Sequence, residues 1–378
     1  MSSTTNPMTI QEAAGVYLAF EDHLNSLLWG RNDDDTPGTI QLILNAFFAN
    51  EHILFEDFPG SGKSYMAKGM AKLILDDIKE SDVDIVHYKR IQCVPDLLPS
   101  DVTGFTMIQD GEREFQAGSI FAYFVLVDEI NRTTPKVQSA FLEAMAERKV
   151  TVDGGEHALG DLFFVIATQN PLDRVGTFEL PAAQLDRFLF KRRLNPIKPH
   201  HECRVMLNEA LEDAADHVLA TRDKLRSSID RHYPGNSPWE EAPESPSENV
   251  GVTKIVAAKK SILAHVSVHE DLIPKILQVA DAIQARYDRR DGGFRRGSRP
   301  SVRSMQKFIK AAKVRAFIEQ VSRQRTATNN IKAVPRHFRE LACDLLRHRV
   351  MPLDSRLVQE PDRLDALIRE IVNEIIPE

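Results

Sequence analysis

The chain has 378 residues, more than the roughly 250–300 that a single hydrophobic core organises, which favours two packed domains. Hydrophobic residues at 42% and charged residues at 27% exclude wholesale disorder, and 48 Lys and Arg against 55 Asp and Glu give a net charge of −7, the wrong sign for a protein that coats nucleic acid. The three cysteines, Cys93, Cys203 and Cys343, are odd in number and far apart, which excludes a disulfide framework and points to reduced structural thiols.

In chain order, the polar first ten residues lack the basic start and apolar run of a secretion signal. The longest apolar stretch, 121–127, is too short for a bilayer core of ~30 Å, so a cytoplasmic chain without a membrane span is expected. Short β-like runs at 52–55, 85–91, 124–127, 162–167 and 188–192 alternate with helical stripes. One stripe, at 65–78, carries Met66, Met70, Leu73 and Ile74; another, at 136–147, carries Val137, Phe141, Ala144 and Met145. The alternation predicts an α/β fold with a five-stranded, mostly parallel sheet and helices on both faces.

Two hairpins are expected within this half. Residues 105–108 and 114–117 flank Asp110-Gly111, and residues 149–152 and 157–159 flank Asp153-Gly154-Gly155. The first is expected to interrupt the second core helix. Beyond His200 helical patterns dominate, at 255–266, 272–287, 302–319, 336–349 and 362–376. The expected division is an α/β core at 1–197 and an all-α domain at 198–378, with an insertion around 230–251 where residues 233–249 hold four prolines. The 12 histidines show no metal spacing, and His200-His201 reads as a polar turn.

The strongest chemical signal is Pro59-Gly60-Ser61-Gly62-Lys63-Ser64, which follows the first strand and opens the helix that begins near Tyr65. Small residues there let successive backbone N–H groups wrap phosphates, and the helix N-terminus adds partial positive charge. Lys63 is placed to neutralise the β- and γ-phosphates of ATP or ADP, and Ser64 to ligate Mg²⁺. The position five residues before Gly62, usually glycine, holds Asp57, whose carboxylate opposes phosphate although aspartate tolerates unusual φ angles. The second signal is the apolar run ending in Asp128-Glu129, in which Asp128 reads as a Mg²⁺ holder and Glu129 as the base that orients and deprotonates water.

With both signals present, VLVDEINR at 125–132 resembles the acidic strand of the MoxR family of AAA+ ATPases. RIQCVPDLLPSDVTG at 90–104, ATQNP at 167–171 and QLDRFLF at 184–190 resemble further stretches of that family in the expected order. The resemblance covers most of the chain from about Glu51. It implies an AAA+ core with an all-α lid, Mg²⁺-dependent ATP hydrolysis, a homo-oligomeric ring of six subunits, and remodelling of protein clients alongside a von Willebrand factor A domain partner. It also implies roles: Asn170 as sensor 1 beside the γ-phosphate, Arg187 as an arginine finger on the neighbouring subunit's nucleotide, and Arg303 as sensor 2, clamping phosphates in cis. Arg295, Arg296 and Arg299 are other candidates for sensor 2. In similar proteins such hairpins face a central pore or a partner.

Two other classes are weighed beside this one. A nucleic-acid motor would use the Arg- and Gly-rich stretch 286–303, but only Tyr287 and Phe294 interleave there and the chain is acidic. A nucleotide-responsive scaffold with weak hydrolysis is motivated by Asp57 alone.

Overall fold

The structure, a computed structural model, describes residues 7–27, 37–56, 63–77, 83–109, 112–170, 176–194, 249–286, 293–295, 298–354 and 360–377, and of 63–65 the backbone only. The expected insertion at 233–249 lies outside them except for Asn249, and the Asp110-Gly111 turn lies outside them too.

The core is a five-stranded sheet built from β1 (His52–Glu56), β3 (Val86–Gln92), β6 (Ala122–Asp128), β9 (Phe164–Gln169) and β10 (Phe188–Arg193). Its order is β10-β1-β9-β6-β3, and every pairing is parallel. All seven residues of β6 are buried, as a strand covered on both faces demands. The five strands fall where the apolar runs put them, to within about two residues.

One face of the sheet is covered by α4 (Pro99–Thr103), α5 (Pro135–Glu147) and their neighbours, which bury Val125, Val127, Val137, Phe141 and Val165 in one cluster. The other face is covered by two N-terminal helices, α1 (Ile10–Leu27) and α2 (Thr39–Phe48), and by α3 (Lys63–Lys72). Phe47 of α2 lies against Phe124 and Phe164 with ring centroids 5.4 Å apart in both pairs, an offset geometry that adds to simple burial.

C-terminal helices α7 (Val252–His265), α8 (Leu272–Ala285), α9 (Val302–Gln324), α10 (Pro335–Leu346) and α11 (Pro361–Ile375) pack outside these, in the same apolar cluster. Tyr17 of α1 stacks edge-on to Phe317 of α9 at 5.7 Å. A buried ion pair ties the helices to the sheet edge: Arg192 of β10 donates to Asp344 of α10 at 3.0 Å and to the Pro37 carbonyl at 2.6 Å. These partners satisfy charges that would be costly to bury alone.

Three expectations need correction. The helix at 65–78 ends at Lys72, because Ile74 and Leu75 form β2, which pairs in parallel with β11 (Val250–Gly251). Asp77 then accepts from the Thr253 N–H at 3.0 Å, capping α7; a side chain on Gly251 would meet that carboxylate at 2.3 Å. The C-terminal half therefore keeps some β pairing, including β12 (Ser267–Val268) with β13 (Lys332–Ala333). The first hairpin, β4 (Gly104–Gln109) with β5 (Glu112–Ala117), follows α4 instead of interrupting a helix. The second, β7 (Lys149–Val152) with β8 (Gly155–Ala158), takes Gly155 into the strand and turns on Asp153 and Gly154, both at positive φ.

The two hairpins touch: Phe115 stacks on His157 at 3.7 Å, while Phe105 and Ile108 remain 51% and 73% exposed. Among the described residues no helix is long and apolar enough to cross a membrane.

His52, at the start of β1, is fully enclosed. Its Nδ1 accepts from the Val165 N–H at 3.0 Å and its Nε2 faces the Met145 carbonyl at 3.2 Å, a pair that only the neutral Nε2–H form satisfies. Burial, then the Arg148 charge, hold its pKa well below the usual histidine value; His348 is shifted the same way by burial and by Arg349. The unfolded chain therefore takes up protons below about pH 6.5 that the folded chain refuses, so stability is full above that pH and falls as pH drops below it. The urea midpoint is expected to fall between pH 7.5 and 5.5, less steeply in His52→Gln; equal slopes would show that His52 does not titrate on unfolding.

Candidate active site

Parallel register brings the functional strand ends to one edge. Glu56 pairs with Gln169 and Arg193, and Gln92 pairs with Asp128. With strands ~4.8 Å apart, the end of β1 and the acidic pair after β6 lie about 10 Å apart, separated only by β9. Carboxyl ends of parallel strands are where open α/β sheets place ligands.

A single hydroxyl organises the acidic pair. Thr168 of β9, fully buried, donates to Asp128 Oδ1 at 2.8 Å and accepts from the Glu129 N–H at 2.9 Å. Arg90 of β3 donates to Asp128 Oδ2 at 2.6 Å, so the carboxylate is gripped on both oxygens. Glu129 adopts the left-handed conformation, φ 59° and ψ 50°, at a cost of about 1 kcal/mol that is typical of functional turns. Its carboxylate accepts from Gln92 at 3.2 Å and lies 3.3 Å from Arg132 Nε. Cys93 sits behind the pair; burial, reinforced by the Asp128 and Glu129 charges, pushes its thiol up to about 12, so it is inert.

The neighbouring strand end is equally fixed. Glu56 accepts from Lys191 at 2.7 Å and from Gln169 at 2.7 Å. Burial works against its charge, yet the Lys191 ammonium and these hydrogen bonds bring its pKa below the usual range. Asn170, the next residue on from β9, accepts on its carbonyl from Asn131 at 3.3 Å.

Asp57, Pro59, Gly60, Ser61 and Gly62 lie outside the described residues. Lys63, Ser64 and Tyr65 form the first turn of α3, directly after β1 and that loop. The oxygen donors expected for Mg²⁺, the Asp128 carboxylate and the Ser64 hydroxyl, suit a hard cation that takes one or two protein ligands and completes its shell with phosphate and water.

Arg187 and Arg303 do not join this group. Arg187 precedes Phe188, which pairs with His52 at the opposite edge of the sheet. Four residues of strand separate His52 from Glu56, roughly 13 Å. Arg303, exposed on the first turn of α9, lies at that same far edge, because Ser304 donates to Asp186 at 2.6 Å and Ser301 at 3.4 Å. These bonds anchor the start of α9 beside Asp186 and Arg187. Among the other candidates, Arg299 pairs with Asp281 at 2.9 Å and Arg295 is held through its backbone to Met351 at 2.7 Å; Arg296 lies outside the described residues.

Sequence reasoning did not single out Thr168, Gln92, Arg90 or Asp186, although all four lie inside the motifs it quoted. The one legible signal was Thr168, a polar residue ending the apolar run FVIAT at 164–168.

A parallel sheet in which the apolar strand β9, ending in Thr168, separates β1 from the acidic strand β6, with helices on both faces, is the AAA+ P-loop architecture. The profile of the ATPase family associated with various cellular activities (AAA) matches residues 52–190. YeaC, an uncharacterized protein of Bacillus subtilis, is 49% identical over 175 residues, covering 46% of this chain and 50% of its own. Chaperone MoxR1 of Mycobacterium tuberculosis is 35% identical over 190 residues, covering 50% of this chain and 48% of its own. A crystal structure of a protein from Cytophaga hutchinsonii, classed as an ATPase, superimposes with a TM-score of 0.69 at 26% identity, covering 96% of this chain and 97% of the other. The chain spans about half the length of the curated relatives it matches. Over that part it is similar to AAA+ ATPases of the MoxR family.

Removing the Thr168 hydroxyl tests the geometry. Thr168→Val is expected to weaken Mg²⁺-dependent binding of a fluorescent ADP by roughly tenfold or more, with binding in EDTA little changed. Equal affinities in magnesium would show that this hydroxyl does not hold Asp128 for the metal.

Proposed function

We propose that this protein is a Mg²⁺-dependent ATPase whose hydrolysis drives the remodelling or activation of protein clients in the cytoplasm, as a homo-oligomeric ring of six subunits with a von Willebrand factor A domain partner. The observation that carries the reading is the Asp128–Thr168–Glu129 arrangement at the carboxyl edge of the sheet, with Thr168 on the strand next to β1. The division near residue 197 into an α/β core and an all-α lid belongs to the same proposal.

In this reading the amides of Gly60 to Gly62, with Lys63, bind the triphosphate, and Asp57 tunes that grip. Bound Mg²⁺ supplies positive charge against the β- and γ-phosphates, held by Ser64 and Asp128. Glu129 accepts a proton from water, whose oxygen attacks the γ-phosphorus as the bond to ADP breaks; Asn170 orients that water. Gln92 and Arg132 keep the Glu129 carboxylate aimed until then. Arg187 stabilises the charge developing on the neighbouring subunit's nucleotide, since about 13 Å of sheet separates it from its own site. Arg303, on the same edge, serves that neighbour too.

The exposed apolar residues Phe105 and Ile108 on the first hairpin favour a protein client over nucleic acid, whose phosphates would ask for a basic surface. In the test, Glu129→Gln is expected to lower phosphate release by roughly 10²-fold or more while ATP binding is retained. Undiminished turnover would remove Glu129 as the base, and absence of turnover in the wild type would favour a nucleotide-responsive scaffold.

A further inference from the structure

The far edge of the sheet holds a second polar cluster, and Asp186 is its hub. Asp186 follows α6 (Ala182–Leu185) and immediately precedes Arg187. Its carboxylate accepts from Ser304 Oγ at 2.6 Å, from Ser301 Oγ at 3.4 Å and from Arg349 Nε at 2.7 Å. Arg349 is buried and also donates to the Phe188 carbonyl at 2.7 Å and the Leu189 carbonyl at 3.0 Å of β10, and to the Leu345 carbonyl of α10 at 2.5 Å. Lys307, one turn further along α9, donates to the carbonyls of Asp186 at 3.2 Å and Arg187 at 2.9 Å, and pairs with Glu51 at 2.8 Å.

Ser301, Ser304 and Lys307 thus fix the Arg187 turn to the start of α9, where Arg303 lies. Such density of charge-assisted bonds around one half-buried carboxylate defines a single geometry. A finger that stabilises transition-state charge needs that rigidity, because displacement of about 1 Å can cost on the order of 10²-fold in rate.

We propose that Asp186 is the positioning residue of the composite site: its carboxylate locks the Arg187 turn and the Arg303 helix start into one unit presented to the neighbouring subunit's nucleotide. This rests on the reading of Arg187 as a trans-acting group. Asp186 does not touch nucleotide; it acts through the two arginines. Movement of α9 would move both together, so the helical domain sets the activity of the next subunit's site.

Subunit mixing tests this. Asp186→Asn keeps the shape and loses the charge. It is expected to lower kcat by on the order of 10²-fold, with KM and ADP affinity changed less than about twofold, because its own nucleotide pocket is intact. Mixed with Glu129→Gln chains, which cannot hydrolyse ATP but keep intact arginines, Asp186→Asn sites gain working neighbours. Turnover is then expected to rise at least about tenfold above that of Asp186→Asn alone. Arg187→Ala, carried in parallel, is expected to be rescued the same way. Rescue of Arg187→Ala without rescue of Asp186→Asn would overturn the positioning role, as would wild-type kcat in Asp186→Asn. Full activity in Arg187→Ala would instead overturn the trans-acting reading beneath it. Ser304→Ala, which removes only the 2.6 Å donor, carries the same readouts if Asp186→Asn does not fold.

Discussion

The hydroxyl of Thr168 is the interaction on which the functional edge depends. It sits on the strand between the phosphate-loop strand and the acidic strand, and it serves two partners at once: a carboxylate on one side, a backbone N–H on the other. Because the sheet is parallel and its register places Thr168 level with Phe55, the hydroxyl is aligned by the backbone ladder itself. Asp128 and Glu129 are adjacent in sequence and would otherwise splay; the left-handed turn at Glu129 and the Thr168 bond together separate their roles.

Sheet polarity underlies the proposal that one chain is incomplete. Glu56 and the acidic pair occupy the carboxyl ends of the strands, while Arg187 and the start of α9 lie at the amino end of β10. In the proposed reading a side chain does not cross that span, and the complementary charges come from another copy whose amino edge meets this carboxyl edge. The buried ion pairs of Arg192 with Asp344 and of Arg349 with Asp186 fasten the helical layer to β10, linking its position to the edge it presents. Replacing either partner alone would leave an uncompensated buried charge.

Much of this was legible in the residues. The five strands announce themselves because buried parallel strands are continuous apolar runs, and Asp128 and Glu129 stand at the end of one of them. The N-terminal helices were not legible: α2 is buried on all sides, so no polar face marks its period. Nor was the strand at Ile74 and Leu75, whose helical spacing with Met66 and Met70 is overridden by pairing with Val250 and Gly251. The position of Arg303 was beyond local reasoning altogether, since it is fixed by serines on α9 reaching a carboxylate more than a hundred residues earlier in the chain.

The most direct measurement of the central claim is calorimetric titration of the folded chain with ATP and ADP at millimolar magnesium. The account predicts saturable binding of one nucleotide per chain, abolished in Lys63→Ala. No binding heat in the wild type, with none restored by Asp57→Gly, would contradict it.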